Sequence, residues 1–434
     1  VQNAAFVISK MHNVSFTGSY YRLLNGRNCG DKERMFIDGQ VNHTESIYYS
    51  NIKQDNFEKI PGFTIGYWVK NNLINTFAVT PKMDFYFDVK SGLSTGNNDI
   101  FLRHWYETNI NKMFLLYSSD KEDRANFKWI PYSKGGGVQK WYGNNLLVVN
   151  WQNEAKEMRD YGFAVFRNED YYFKEGITWS GLSSNFVSYR YIPNGFIFDS
   201  NKGPMIFVKS ENPSLLYAIG FLNTNVSNTI TKILNPTLST QIGDVVKIPL
   251  CYKKDINILI EKLAKENIDV SKQDWDIHET SWDFDTNPLI AQCNQFRSNG
   301  CIATSYRVEN FVKEFEEQWE AKFYQLKDNE EELNRQFIEI YGLQDELEPF
   351  VPTREITILQ QGEISIVPAP GDDSGYGDTI RWNRDVLMKQ LISYAVGCMM
   401  GRYSIDKPGL ILSNQGDGLD QFNEQVPDSR FEPD

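Results

Sequence analysis

Cysteine is sparse in this 434-residue chain, and the five present (Cys29, Cys251, Cys293, Cys301 and Cys398) are an odd set with no C-x-x-C spacing. That excludes a disulfide framework and a zinc ribbon, and it fits a reducing cytoplasm best. Histidine is sparser: His12, His43, His104 and His278 lie far apart, and none forms an H-x-x-x-H pair. The sequence therefore offers no helical metal site. No stretch approaches the roughly 18 to 20 apolar residues that cross a bilayer, so no membrane partner is expected. Phosphate-binding motifs are missing too. Gly135-Gly136-Gly137 follows Lys134 but leads to no Gly-Lys-Ser/Thr, and Gly375-Tyr376-Gly377 lacks the third glycine of a dinucleotide fingerprint. Asp283 and Asp285, alternating with Trp282 and Phe284, have the spacing of a solvated strand or turn more than of a glycosidase carboxylate pair.

What is present is the composition of a folded protein, 41% hydrophobic and 23% charged. The net charge of −13 is unevenly spread. Residues 1–250 carry 26 Lys and Arg against 22 Asp and Glu, whereas residues 251–434 carry 18 against 35. A polyanion is repelled by a surface of its own sign, so nucleic acid is not expected along the second half. The first half can still hold a basic groove.

The pattern along the chain predicts an α+β fold. Ala4–Lys10 and Ser19–Leu24 read as strands joined by a polar turn from Asn13 to Gly18. Residues 61–250, rich in aromatics, Asn and Gly, read as one mixed α+β domain with mainly antiparallel strands such as Leu146–Val149 and Gly195–Asp199. Short helical patterns lie at Leu215–Leu222 and Thr229–Leu234. From about residue 251 the period becomes helical. Asp255–Glu266, Val308–Leu326 and Glu330–Tyr341 are expected as separate helices, the last stopped by Gly342. Asn383–Met400 is apolar enough to predict a buried helix, Pro368–Gly377 a loop, and the tail after Gly416 a frayed end.

Several segments are distinctive. Gly92–Trp105 (GLSTGNNDIFLRHW), Lys128–Gly136 (KWIPYSKGG), Lys140–Asn145 (KWYGNN), Asp170–Ser180 (DYYFKEGITWS) and Leu234–Leu238 (LNPTL) come first. Glu279–Phe284 (ETSWDF), Asn329–Asn334 (NEEELN), Ile340–Leu343 (IYGL) and Ser393–Ser404 (SYAVGCMMGRYS) follow in order. These resemble the adenine-specific DNA methyltransferases of the BREX phage-defence system (the PglX family) and the related single-chain type II restriction–methylation enzymes, over nearly the whole chain. The resemblance implies an N6-adenine methyltransferase whose S-adenosylmethionine loop and Asn-Pro-Pro-aromatic tetrapeptide lie elsewhere, since Asn212-Pro213, Asn235-Pro236 and Asn287-Pro288 are each followed by a residue other than Pro. It implies that residues 1–60 are the end of the methyltransferase domain and a connector, residues 61–250 the target-recognition domain, and residues 251–434 a mainly helical region. By that reading the chain is a truncated piece, inactive alone and without a cofactor of its own. Its expected partners are double-stranded DNA, the catalytic domain of the same polypeptide and other phage-defence components.

For such a role, Arg and Lys would hold phosphates and Asn would read adenine edges. The candidate DNA-binding residues are Arg103, Lys128, Lys134, Lys140, Asn144, Asn145 and Arg190, in polar stretches that read as loops. No catalytic or metal-ligating residue is expected. Trp129, Trp141, Trp151 and Trp179 read as core before base-stacking platforms. Two other classes fit the bare composition: a stand-alone DNA-specificity or acidic scaffold protein, and an aromatic-rich carbohydrate-binding module.

Overall fold

The computed structural model describes residues 4–8, 10, 16–115, 127–181, 186–298, 307–371 and 374–433. Residues 1–3 and 9, the first half (13–15) of the turn expected at 13–18, and Cys301 lie outside them. The chain divides into two compact units, Val1–Pro81 and Lys82–Asp434.

In the first unit, β1 (Thr17–Tyr21) and β2 (Tyr48–Lys53) pair antiparallel, and the helix Cys29–Asn42 forms their connection. The helix starts where the Asn28 side chain accepts the Asp31 amide at 2.9 Å, and it stops at His43, whose φ is 52°. Tyr20 stacks on Tyr67, and Arg22 lies 4.1 Å over Trp68. The strand expected at Ala4–Lys10 is absent over the described residues 4–8, whose side chains are exposed. An apolar run becomes a strand only where a neighbouring strand takes its amides.

Among its described residues the second unit holds two four-stranded sheets. One is ordered β3 (Phe87–Lys90), β10 (Met205–Val208), β7 (Gly176–Trp179), β8 (Tyr189–Ile192), all antiparallel. The other is ordered β4 (Leu102–His104), β6 (Leu147–Asn150), β5 (Trp129–Ser133), β9 (Ile197–Phe198), antiparallel except for the β5–β9 pair. Their inner faces close on Phe101, Trp105, Ile130, Val149, Phe198 and Phe207, and Trp282 from the second half of the chain joins that core. Trp141, Trp151 and Trp179 are buried and Trp129 partly so, as the core reading requires.

Among the described residues helices occupy most of the second half, with one hairpin of β11 (Ile364–Val367) and β12 (Thr379–Trp382). The helix Leu215–Leu222 lies against Asn257–Asp276 so closely that a Cβ on Gly220 would sit 2.9 Å from Ile260 Cγ2. The expected boundary near residue 250 falls inside this unit, where sheets and helices share buried partners: Tyr189 and Asn223 exchange two hydrogen bonds, and Trp105 Nε1 donates to the Thr280 carbonyl.

Three expectations need correction. Val308–Leu326 and Glu330–Tyr341 are one helix, Val308–Tyr341, of 34 residues. The polar positions at the expected break are bonded, Glu330 buried and Asn329 partly so: Asn329 Nδ2 donates to Asn267 Oδ1 at 2.9 Å, and Glu330 accepts from Lys140 and from Trp141 Nε1. The helix Arg384–Met399 buries only Leu387, Tyr394 and Cys398, leaving Ile392, Val396 and Met399 exposed. The tail beyond Gly416 is not frayed throughout, because Leu419–Gln425 is helical and packs Phe422 against Ile411 and Val426. Gly342 does end the long helix in the left-handed region, at φ 64°.

Candidate nucleic-acid interface

The seven candidate residues do not form one surface. Lys140 is 3% exposed and forms an ion pair with Glu330 of the long helix. Its backbone amide donates to Thr357 Oγ1 at 3.0 Å, and the neighbouring Gln139 Nε2 donates to the Thr357 carbonyl at 2.9 Å. Trp141, at φ 69°, bridges back to the first sheet by donating its amide to the Tyr189 carbonyl and accepting from the Tyr191 amide. Burial pushes the Glu330 carboxyl above its ordinary value, and the Lys140 ammonium opposes that shift. This stretch is a bolt between the sheets and the long helix. Lys140 is therefore withdrawn as a phosphate anchor.

Arg190 is withdrawn as well. It is 1% exposed, with Nη1 donating to Ser180 Oγ at 3.1 Å and to the Gln139 carbonyl at 3.5 Å. Burial pulls its pKa down to about 10, and Nε has no partner among the described residues. Asn145 is also buried, its Nδ2 unpartnered among them. Loop-like composition misled here because polar residues in a strand-rich unit also serve to tie loops down.

Four candidates keep some exposure. Lys128 and Lys134 flank β5 on its two ends, so they are about 20 Å apart at roughly 3.3 Å per residue. Lys128 is half-buried, with its ammonium 5.4 Å over the Trp129 ring. Lys134 is half-buried beside Asp199 at 3.8 Å; burial lowers its pKa and the Asp199 carboxylate resists that. Asn144, at φ 62°, donates from Nδ2 to the Gly137 carbonyl at 3.0 Å. A Cβ on Gly135 would lie 2.3 Å from the Lys202 carbonyl, and one on Gly136 would lie 2.8 Å from Asn144 Nδ2. The glycine run is thus a tight turn wedged against residues 202–203, and its role is steric. Arg103, half-buried on β4 opposite Val148, turns Nη1 onto the Asp99 and Leu102 carbonyls, both at 2.6 Å.

Sequence reasoning missed two features beside these residues. Lys202 sits close enough to Lys134 for their charges to interact, and only the fold brings them together. Past the end of β6, Asn153, Glu154 and Ala155 are left-handed, with φ of 52°, 55° and 61°; with no glycine among them, the sequence carries no sign of it. Among the described residues no group of three or more His, Cys, Asp or Glu side chains is placed to hold a metal, and no helix is long and apolar enough to cross a membrane.

No family model matches the chain. It is 35% identical over 418 residues to the adenine-specific methyltransferase PglX of Lacticaseibacillus casei (strain Zhang), a match covering 94% of this chain and 32% of that protein. It is 33% identical over 418 residues to the adenine-specific methyltransferase BrxX of Escherichia coli O9:H4 (strain HS), covering 96% and 32%. The chain therefore spans about a third of the length of the curated relatives it matches, and the resemblance read from its ordered segments is borne out.

Proposed function

We propose that this chain, a homologue of one third of the adenine-specific methyltransferases PglX and BrxX, is a target-recognition region that holds duplex DNA for N6-adenine methylation by another part of a longer phage-defence enzyme. The observation that carries the reading is the similarity itself, which runs through both the sheets and the helices of this chain. The physical need is plain. An adenine inside a duplex is out of reach of any methyl donor, so the base must be swung out at a cost of a few kcal/mol, and a second surface must grip the flanking duplex. S-adenosylmethionine would be held outside this chain, where the methyl transfer takes place.

On this reading DNA lies against residues 82–250. Lys128 and Lys134 are the phosphate contacts that survive inspection of burial, Lys202 adds charge beside Lys134, and Asn144 rims the same turn. The helical half, with 18 cations against 35 carboxylates, faces away from the phosphates. Fluorescence anisotropy of a labelled duplex across a salt series tests this. Binding is expected to weaken with a log–log slope of about 0.9 per phosphate neutralised, and replacing Lys128 and Lys134 together with Ala should flatten that slope by up to about two units. Unchanged affinity and slope in the double variant would remove both lysines from the DNA surface.

A further inference from the structure

The turn at residues 153–155 is strained. A left-handed conformation is comfortable for glycine, tolerable for asparagine and unfavourable for glutamate or alanine, yet Asn153, Glu154 and Ala155 adopt it in succession. The surroundings enforce it from both sides. Trp151, Ala155 and Met158 are buried in the sheet core. Gln152 N donates to Asn150 Oδ1 at 3.2 Å, Asn150 Nδ2 donates to Glu157 Oε2 at 2.9 Å, and Arg159 Nε donates to the Glu154 carbonyl at 3.0 Å. Strain held this firmly clusters where a protein must present particular groups.

What the turn presents is Gln152, Asn153 and Glu154, all three exposed. Among the described residues neither the Gln152 nor the Asn153 amide group holds a hydrogen bond. Two cations stand beside them. The Trp151 amide donates to the Lys128 carbonyl at 2.7 Å, and the Lys128 amide donates to the Lys112 carbonyl at 3.0 Å. Lys112 is exposed, and neither lysine has a carboxylate within ion-pair distance among the described residues. Side-chain amides next to lysines that carry no ion pair are an arrangement that can read a base edge between two phosphates, because an amide can donate to and accept from adenine at once while lysines fix the register.

We infer that Gln152 and the left-handed turn Asn153–Ala155 that follows it form a base-reading element, with the Gln152 and Asn153 amides directed to an adenine edge in the major groove and Lys112 and Lys128 on the adjoining phosphates. The inference rests on the DNA-recognition role proposed above. It is tested by selecting duplexes that the chain retains from a random-sequence pool, for wild type, Gln152→Ala and Asn153→Gly, with anisotropy on one fixed duplex as a measure of general affinity. Asn153→Gly matters most, since glycine accepts φ 52° freely; it should raise or preserve the melting temperature, so loss of folding is not at issue. Wild type should enrich a motif. Both variants should keep the affinity and salt slope for a fixed duplex that lacks the enriched motif, while preference for one or two motif positions falls by about 5- to 150-fold. An unchanged motif in both variants overturns the inference and leaves the DNA-binding role standing. A wild type that binds all duplexes alike overturns base reading by this turn, and a wild type that binds none overturns the recognition role together with it.

Discussion

Replacing Lys140 with Met is the sharpest test of how this fold is held together. The side chain is buried, and Glu330, equally buried, takes both the Lys140 ammonium and Trp141 Nε1 at 2.7 Å. Removing one member of a buried pair strands the other, which costs about 3 to 5 kcal/mol, whereas removing both charges at similar volume is close to neutral. Lys140→Met should therefore destabilise by about 3 to 5 kcal/mol, and the double variant Lys140→Met, Glu330→Gln by about 1 kcal/mol, since glutamine still accepts from Trp141. The coupling in that double-mutant cycle should be about 2 kcal/mol or more. Acid should rescue the single variant. The Glu330 pKa is already raised by burial in the folded chain and rises further without Lys140, so the folded state binds a proton more tightly than the unfolded one. Stability of Lys140→Met should then increase as pH falls through the folded pKa towards the ordinary carboxylate value. Urea unfolding followed by tryptophan fluorescence at several pH values measures all of this. Additive single variants, each costing under about 1 kcal/mol with no pH dependence, would refute the bolt.

Three further outcomes are expected. His278 is buried with Nδ1 on the Asp274 carbonyl at 2.6 Å and Nε2 on Glu363 Oε1 at 2.7 Å, so both nitrogens face acceptors and the ring is held as the imidazolium. Burial favours the neutral ring, but the Glu363 hydrogen bond and the Asp274 and Glu363 charges outweigh it and raise its pKa; burial also lifts Asp274 to about 6. Both shifts mean that the folded chain keeps protons the unfolded chain would release, so the stability difference between wild type and His278→Gln should be largest below about pH 6.5 and shrink as pH rises through the folded His278 value; a difference constant from pH 5.5 to 9 in urea titrations would contradict this. Phe422→Ala, which empties the contact with Ile411 and Val426, should loosen Leu419–Gln425 by about 3 kcal/mol and raise amide exchange there alone. Calorimetric titration with S-adenosylmethionine should give no saturable heat, as the missing cofactor loop implies; a micromolar site would place cofactor binding in this chain.

Much of the architecture was legible in the sequence because it rests on local pattern. Leu215–Leu222 carries apolar side chains almost without a break and is buried nearly all round, and the helix starting at Asn257 buries Ile260, Leu263 and Ala264 from its apolar stripe. Strands such as Leu147–Asn150 announced themselves by β-branched residues between turns. What failed did so where a distant partner decides the matter. Asn329 and Glu330 are poor residues for a helix core judged alone, yet they continue the helix because Asn267, Lys140 and Trp141, from other parts of the chain, meet them there. The Lys140–Glu330 pair accounts for both corrections: it lets Glu330 continue the helix, and it keeps Lys140 from DNA.

The candidate site was less legible than the fold for a related reason. A lysine in a polar stretch can reach phosphate or a buried carboxylate, and composition does not distinguish the two. Of seven candidates, Lys140, Asn145 and Arg190 are buried in the packing, and Arg103 spends its guanidinium on its own backbone. The two lysines left with any exposure stand at opposite ends of β5, a separation of about six base steps along one DNA strand. A duplex held by both would have to reach from one end of β5 to the other, and the turn where Gln152 and Asn153 project lies at the Lys128 end, since Trp129 pairs with Asn150 across β5 and β6. That geometry predicts that Lys128→Ala weakens both general affinity and motif preference, because it lies beside the turn, whereas Lys134→Ala weakens affinity alone. Equal effects of the two substitutions on motif preference, measured by the same duplex selection, would mean that base reading is not confined to the Lys128 end of the sheet.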